Sequence, residues 1–296
     1  MAKRSKFVKP ENRHVTTARV LGSKQVSPHF IRVTVGGEDL RGFTPMGFDQ
    51  WFRLFLPQPG HSELRLPSKA SNLWYAQYLA MSKSTRPVVR NYTVRAYRDA
   101  EHATFGEAVP EIDIDMVLHA ALDGAEIPEH AGDAEDSAGD GSGPASEWAR
   151  TAVAGDRLAL LDEGLIYNPT PDAAWQLLVG DESALPAIAG ILASSPADLR
   201  AEVYLEIPDA ADAQELAAPA GVNLHWLVRS DPHDRPGVLA LETVRAAQLP
   251  AGPSYTFVAG ESELPTGLRR HLVNDRKVPK SDISFTGYWR HGRAAY

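Results

Sequence analysis

The run Arg90-Asn91-Tyr92-Thr93-Val94-Arg95 places a guanidinium, a phenol ring and a hydroxyl within four residues. If the run is a strand, those groups can do three jobs for one large ligand. A guanidinium pairs with phosphate oxygens, an aromatic ring lies against a flat heterocycle, and a hydroxyl or its backbone reaches a ring nitrogen. A flavin dinucleotide asks for all three. An ordinary strand with a polar face carries the same residues, and the run alone does not separate the two readings.

A second pair of segments could hold a pyrophosphate. Asp113-Ile114-Asp115-Met116-Val117-Leu118-His119 is followed, after an acidic stretch, by Gly143-Pro144-Ala145-Ser146-Glu147-Trp148-Ala149. Gly and Pro set a tight turn, small Ala145 and Ser146 let backbone N–H groups approach an anion, and a helix starting there points its positive end at it. Asp115, Val117, Leu118 and His119 at the strand end are the other candidate contacts. Taken singly, Ser146 reads as a helix N-cap and His119 as a strand-end histidine with its own partners. No Gly-x-Gly-x-x-Gly is present, so the usual dinucleotide fingerprint is missing, and the ten histidines show no close pairing such as His-x-x-x-His, which argues against a metal-dependent hydrolase.

The elements that must position these groups differ between the two halves. Ile31, Val33 and Val35 alternate with polar residues, as do Tyr92, Val94 and Ala96, and Ile112, Ile114, Met116 and Leu118. Period two means half-buried strands, and Pro/Gly punctuation between them predicts an antiparallel barrel or sandwich. A helix is expected over 74–82, a mobile loop over 121–142, and a linker over 168–172, where Pro169 and Pro171 stand. Beyond it, strands at 175–179, 201–207, 222–228 and 255–259 alternate with helices at 184–193, 237–247 and 264–273. That order builds a parallel sheet covered on both faces, with ligands at the carboxyl ends of its strands. Gly180 to Ala184 and Gly260-Glu261 are then the places to look.

Composition narrows the chemistry. The 296 residues suit two domains, expected at 1–168 and 169–296, and 43% hydrophobic and 23% charged residues are ordinary globular values. Cysteine is absent, so disulfides, thiolate zinc sites and cysteine-held iron–sulfur clusters are excluded. Redox chemistry would need an organic cofactor or a metal on His and carboxylates; no metal site of the protein's own is expected. The net charge of −8 argues against nucleic-acid binding, and no stretch is apolar enough for a signal peptide or a bilayer span, so the expectation is a cytoplasmic protein. From Asp99 to Ala149 there is no Lys or Arg, and the acidic residues there read as a solvated surface. Nothing sets an oligomeric state; a monomer is expected.

Six ordered motifs then point to a family: Arg-x-Tyr-Thr-x-Arg from Arg90, Asp-x-Asp-x-Val-Leu-His from Asp113, Gly-Pro-Ala-Ser-x-Trp-Ala from Gly143, Gly-Asp-Glu-Ser-Ala-Leu-Pro-Ala-Ile from Gly180, Ala-Gly-Glu from Ala259 and Gly-Tyr-Trp-Arg-x-Gly from Gly287. Over residues 15–292 the chain resembles the siderophore-interacting proteins, FAD-dependent ferric-siderophore reductases. The resemblance implies a ferredoxin-reductase-like fold: an N-terminal antiparallel FAD-binding β-barrel followed by a C-terminal parallel α/β domain for NADPH or NADH. By position, Arg90, Asn91, Tyr92 and Thr93 would hold FAD, with His119, Ala145 and Ser146 near its pyrophosphate or adenine side. Asp181, Glu182, Ser183 and Ala184 would form the nicotinamide-cofactor turn, with Ala259, Gly260 and Glu261 facing it. Tyr288 and Trp289 would lie near the active site, and Arg290 with Arg53, in Trp51-Phe52-Arg53-Leu54-Phe55, would attract an anionic siderophore. Packing of Trp289 in the core and solvation of Arg53 are the plain alternatives. The chain departs from the family pattern at Asp162 to Tyr167, where many relatives have a Gly-Pro-rich turn.

The implied activity is hydride transfer from the nicotinamide to flavin N5, with Thr93 beside it, and then electron transfer to iron(III) in a bound ferric siderophore. Iron(II) is held more weakly by hard oxygen chelators, so reduction is release. The choice of dinucleotide rests on Arg229, which could meet a 2′-phosphate, against Glu206, which could accept from a ribose hydroxyl; the lean is to NADPH. A general flavin reductase passing electrons to another acceptor and a non-catalytic siderophore binder are the rivals.

Overall fold

The computed structural model describes residues 5–61, 63–67, 73–118 and 144–292. His119 and the stretch 121–142 lie outside the described residues. The first half contains β1 (Val15–Ser27), β2 (Phe30–Gly36), β3 (Trp51–Leu56), α1 (Trp74–Ala80), β4 (Val88–Thr93), β5 (Ala96–Arg98), β6 (Glu111–Val117), α2 (Pro144–Thr151) and β7 (Arg157–Gly164). The strands pair antiparallel in the order β4-β3-β7-β1-β2-β6-β5. β4 runs on through Val94 and Arg95 into β5, so the two edges of the sheet are one continuous chain and the sheet closes into a barrel. The Arg95 amide, donating to the Asp113 carbonyl at 2.9 Å, carries the ladder across that join. Closure removes exposed edges.

Alternation on β6 shows why the barrel is stable. Ile112, Ile114 and Met116 face the interior with Val33, Val35, Phe52, Leu54 and Leu158. Glu111, Asp113 and Asp115 face the other way, and they too are buried, beneath arginines from neighbouring strands. Arg32 holds Asp115 through two bonds of 2.6 and 2.8 Å, Arg95 approaches it at 3.3 Å, and Arg98 spans Asp113 and Glu111. Both Asp115 carboxylate oxygens, at a position expected near the cofactor, are engaged in an ion ladder that covers the barrel wall.

The second half contains β8 (Trp175–Gly180), α3 (Leu185–Ser194), β9 (Arg200–Ile207), β10 (Gly221–Val228), α4 (Val238–Ala246), β11 (Ser254–Glu261), α5 (Glu263–Asn274) and β12 (Ile283–Trp289). They form a parallel sheet in the order β10-β9-β8-β11-β12. β8 has β9 on one side and β11 on the other, so the strand order reverses there and the turn after Gly180 stands at the switch point. The terminal aromatic run is an edge strand, β12, which its mixed polar pattern does not announce.

The halves share a core. Phe30, Ile166 and Tyr167 pack with Leu178, Ile188, Leu205 and Phe257. A barrel loop reaches α3: Phe48 stacks on Tyr167 at 5.3 Å and its amide donates to Ser194 Oγ at 2.9 Å. A Cβ on Gly190 would collide with the Phe48 carbonyl oxygen, so this helix position must be glycine for the loop to lie there. Asp49 accepts from the Ile166 and Tyr167 amides, and His29 and Ser27 bond Asp212 across the seam. The N-terminal segment straps the outside: Val8 and Leu165 exchange amide bonds, and Lys6 Nζ reaches the Ile283 carbonyl at 3.3 Å.

Candidate functional site

Register decides how the Arg90 motif is divided. Leu56, Leu54 and Phe52 of β3 pair with Val88, Arg90 and Tyr92, while Phe55, Arg53 and Trp51 pair with Val89, Asn91 and Thr93. Paired residues share a face. Arg90 and Tyr92 therefore sit on the barrel-interior side, next to α2, which packs over β2, β4 and β6. Asn91, which is exposed, and Thr93, which is buried, sit on the opposite side with Trp51 and Arg53.

Arg90 is half-buried, and burial depresses its tendency to carry charge. Its guanidinium makes one bond, to the Val89 carbonyl at 2.8 Å, and no carboxylate among the described residues pairs with it. The other half-buried arginines of the barrel wall do have such partners: Arg32, Arg95 and Arg98 on β6, Arg53 on Glu163. The phenol of Tyr92 is pushed up by burial and stays neutral. Next to this face, Ser146 Oγ donates to the Val117 carbonyl at 3.1 Å and Leu118 N to the His29 carbonyl at 2.8 Å, which fixes the start of α2 against the end of β6. Ala145 is buried there. A cavity of about 580 Å³ opens at the Val88 end of β4, bounded by Leu56, His61, Pro144, Trp148 and Arg157.

At the carboxyl ends of the parallel strands, backbone and carboxylates are stitched together. Asp181 accepts from Ser183 N at 2.9 Å, Ser183 Oγ at 2.5 Å and Glu261 N at 2.5 Å. Burial, and then Glu182, push its carboxyl up to about 7. Gly260 has φ +137°, and a Cβ there would stand 2.6 Å from that carboxylate. The turn residues Asp181, Glu182 and Ala184 and the strand end Ala259, Gly260 and Glu261 are thus one buried unit, with Ser183 part-exposed at its surface. Arg229, expected to meet a 2′-phosphate, is paired inside the domain. Its guanidinium, 3% exposed, bonds Glu182 at 2.8 and 2.9 Å and Glu206 at 3.0 Å, while Glu206 also accepts from the Gly237 and Ala240 amides. A cation and two carboxylates so buried satisfy one another. Both terminal nitrogens of Arg229 and both oxygens of Glu206 are engaged in this network, and Arg229 Nε is buried without a partner.

β12 closes the site region. Ser262 holds the Trp289 carbonyl with its amide at 3.0 Å and its hydroxyl at 2.6 Å, and Glu261 accepts from His291 N at 3.2 Å. Tyr288 packs in the shared core, its phenol pushed well above the usual value by burial and by Asp49 and Asp181. Arg290 is exposed just past the strand, whereas Arg53 is held on the barrel by Glu163 at 2.7 Å and lies over the Trp74 and Trp51 rings at 4.8 and 5.4 Å. Residues that sequence reasoning missed are Trp51, Asp49 and Glu163. Only Glu163 left a signal, inside the departure at 162–167.

Two observations test whether a flavin dinucleotide fits. Arg90 is a half-buried cation without an anion, and Trp51 Nε1 is a buried donor without an acceptor. A phosphate and a ring carbonyl are the acceptors such groups lack, and the two lie on adjoining strands. The residues present fit the group.

Comparison with known proteins places the chain in a family. Residues 19–165 match the family model described as the siderophore-interacting FAD-binding domain, and residues 173–292 the model described as siderophore-interacting protein. The ferric vibriobactin reductase ViuB of Vibrio cholerae is 31% identical over 277 residues, 91% of this chain and 87% of that one. An NADPH-dependent ferric-chelate reductase of Escherichia coli is 29% identical, covering 94% and 92%. The crystal structure of a siderophore utilization protein from T. fusca superposes with TM-score 0.74 at 27% identity, over 98% and 97% of the chains. At the level of fold alone, the ferredoxin reductase of carbazole 1,9a-dioxygenase matches with TM-score 0.60 at 14% identity, over 96% of this chain and 71% of that one. With both halves matched in order and a relative above 30% identity along nearly its whole length, the chain belongs to the siderophore-interacting protein family.

Proposed function

We propose that the protein is an NAD(P)H-dependent, FAD-containing reductase of ferric siderophores, which frees iron as iron(II). The observation that carries the reading is Arg90: half-buried, short of a carboxylate and on one face with Tyr92, it is a cation prepared for a phosphate. FAD, when bound, supplies hydride acceptance and one-electron delivery. The chain's own residues supply position. Arg90 would anchor the pyrophosphate, Tyr92 would lie along the cofactor, and Ala145 and Ser146 would admit it close to the start of α2. Thr93 and Trp51 on the opposite face would meet the ring system at the seam.

The turn Asp181 to Ala184 would receive the nicotinamide cofactor. Asp181, tied to Glu261 N, keeps that turn at a fixed distance from the end of β11. The ferric chelate is substrate, and no residue need act on the iron as acid or base. The E. coli relative's name favours NADPH as donor, while the commitment of Arg229 to Glu182 and Glu206 leaves the 2′-phosphate to be read by other groups.

The test is a visible spectrum of the purified protein under anaerobic conditions. Flavin absorbance should bleach on adding NADPH or NADH and return on adding a ferric siderophore, with iron(II) appearing in a ferrous-specific chelator. A colourless protein that also fails to take up added FAD would overturn the reading.

A further inference from the structure

The outer wall of the barrel carries one helix whose composition does not suit water. α1 (Trp74–Ala80) reads Trp-Tyr-Ala-Gln-Tyr-Leu-Ala and has no charged residue. A helix lying on a barrel normally turns polar or charged side chains outward. Here Trp74 is the side chain turned inward, meeting the Phe55 ring edge-on at 5.8 Å and packing with Ala159 and Leu161. Tyr75 and Leu79, four residues apart and therefore on one face, are 53% and 50% exposed, and Leu73 just before the helix is 56% exposed. Ala76 and Ala80, also exposed, extend that face. The helix is fastened to the barrel by one indole and offers an apolar surface outward, a feature that marks interaction sites rather than idle surface.

Cations stand at the rim of this surface. Arg86 Nη2 donates to the Leu79 and Met81 carbonyls at 2.8 and 3.0 Å, and its guanidinium lies 5.1 Å from the centre of the Tyr78 ring, so it closes the C-terminal end of α1. Lys83, in the turn that follows, is exposed. Neither makes an ion pair with a carboxylate among the described residues. The surrounding chain offers them little: from Trp51 to Arg98 the only acid is Glu63, and Arg65 pairs with it at 3.2 Å. This stretch is therefore basic within a protein whose net charge is −8.

The apolar face and the basic rim together select the occupant. A second copy of the chain seated on α1 would bring Lys83 and Arg86 against their own duplicates, like charge against like. A bilayer with anionic headgroups meets both features at once. Leucine and tyrosine side chains enter the boundary between headgroups and acyl chains, while lysine and arginine at the rim face the phosphates. No helix among the described residues is long and apolar enough to cross a membrane, so the contact is with its surface. We propose that α1, through Tyr75 and Leu79 with Lys83 and Arg86 at its rim, docks the protein on an anionic lipid surface. The assignment does not depend on the reductase reading, and its test needs no turnover.

The full chain, as purified, is mixed with vesicles and floated through a sucrose gradient, and the bound protein is measured by gel staining. One set of vesicles is phosphatidylcholine alone, the other equal parts phosphatidylcholine and phosphatidylglycerol. The native protein should bind the anionic vesicles roughly tenfold better than the neutral ones, and added salt should narrow the difference. Tyr75→Ser with Leu79→Ser should weaken binding to the anionic vesicles roughly tenfold, and Leu79→Ser alone roughly threefold. Lys83→Gln, at an exposed position, should cost roughly threefold on anionic vesicles and nothing on neutral ones. Val238→Ser removes another exposed apolar side chain, from α4 in the second half, and should change neither. Urea midpoints show which variants are folded; if the double variant is not, Lys83→Gln and the salt dependence of the native protein carry the test. Native protein that floats with neither vesicle, equal binding to both, or an equal loss with Val238→Ser would each overturn the proposal. So would a dimer in sedimentation velocity that the double variant dissolves and vesicles do not.

Discussion

A guanidinium drawn half out of water without a counter-ion loses hydration that the single bond to the Val89 carbonyl does not replace, which is why Arg90 is informative and Arg32 is not. Arg90→Ala should remove a charge-assisted contact of about 2 kcal/mol, roughly thirtyfold in Kd for FAD. The ratio of flavin to protein absorbance after dialysis reads this directly, and unchanged retention would count against the assignment. Arg229 makes the opposite forecast. Arg229→Ala leaves Glu182 and Glu206 buried without their cation and should destabilise the fold by about 3–5 kcal/mol, with chemical denaturation as the measurement. A residue reading a 2′-phosphate would instead raise KM for NADPH and leave stability alone. Nothing in the sequence separates these two arginines; the difference lies in which carboxylates the fold delivers to them.

The informative elements are those that make one half meet the other. α3 carries Gly190 where the Phe48 carbonyl crosses it, and the barrel loop 47–49 depends on that gap. Gly190→Ala raises helix propensity yet overfills the seam, so a net loss of about 1–3 kcal/mol is expected. The readout is faster proteolysis between residues 165 and 175; a more stable, equally resistant variant would show that the loop does not need the glycine. Most elements were legible from the chain: the period-two runs became β2, β4 to β5 and β6, and the alternation after residue 175 became the parallel sheet. β12 was not, because an edge strand with one face towards solvent carries a mixed pattern. The pairing of the β6 acids was not legible for a related reason, since period two marks Asp115 as outward but not as covered by Arg32 from the next strand.

At the scale of the whole molecule, the seam buries two carboxyls whose affinity for protons is raised. Asp49 is pushed up to about 7 by burial, against the pull of the Tyr167 and Ile166 amides, and Asp181 to about 7 by burial and Glu182. The folded protein holds these protons up to about pH 7, whereas the unfolded chain releases them near 3.8. Folding therefore takes up protons in that window, and stability should fall as pH rises from about 4 to about 7 and then level off. Carboxylates held low by arginines, such as Asp113 and Glu163, act in the opposite sense and only at the acid end of the scale. Asp49→Asn keeps an acceptor for the Tyr167 amide and should flatten part of the decline in urea midpoint between about pH 4 and about 7; an unchanged slope would exclude Asp49 as a source. What the sequence determined by itself was local: strand and helix periods, the order of the two halves, the absence of thiol chemistry, and the Arg90 to Thr93 motif. The tertiary structure alone decided which charges meet. Glu163 lies 154 residues from Lys9 and 110 from Arg53, and only the neighbouring of β3 with β7 and the strap over Leu165 bring them together. Ion pairing depends on distance in space, which no periodicity along the chain encodes.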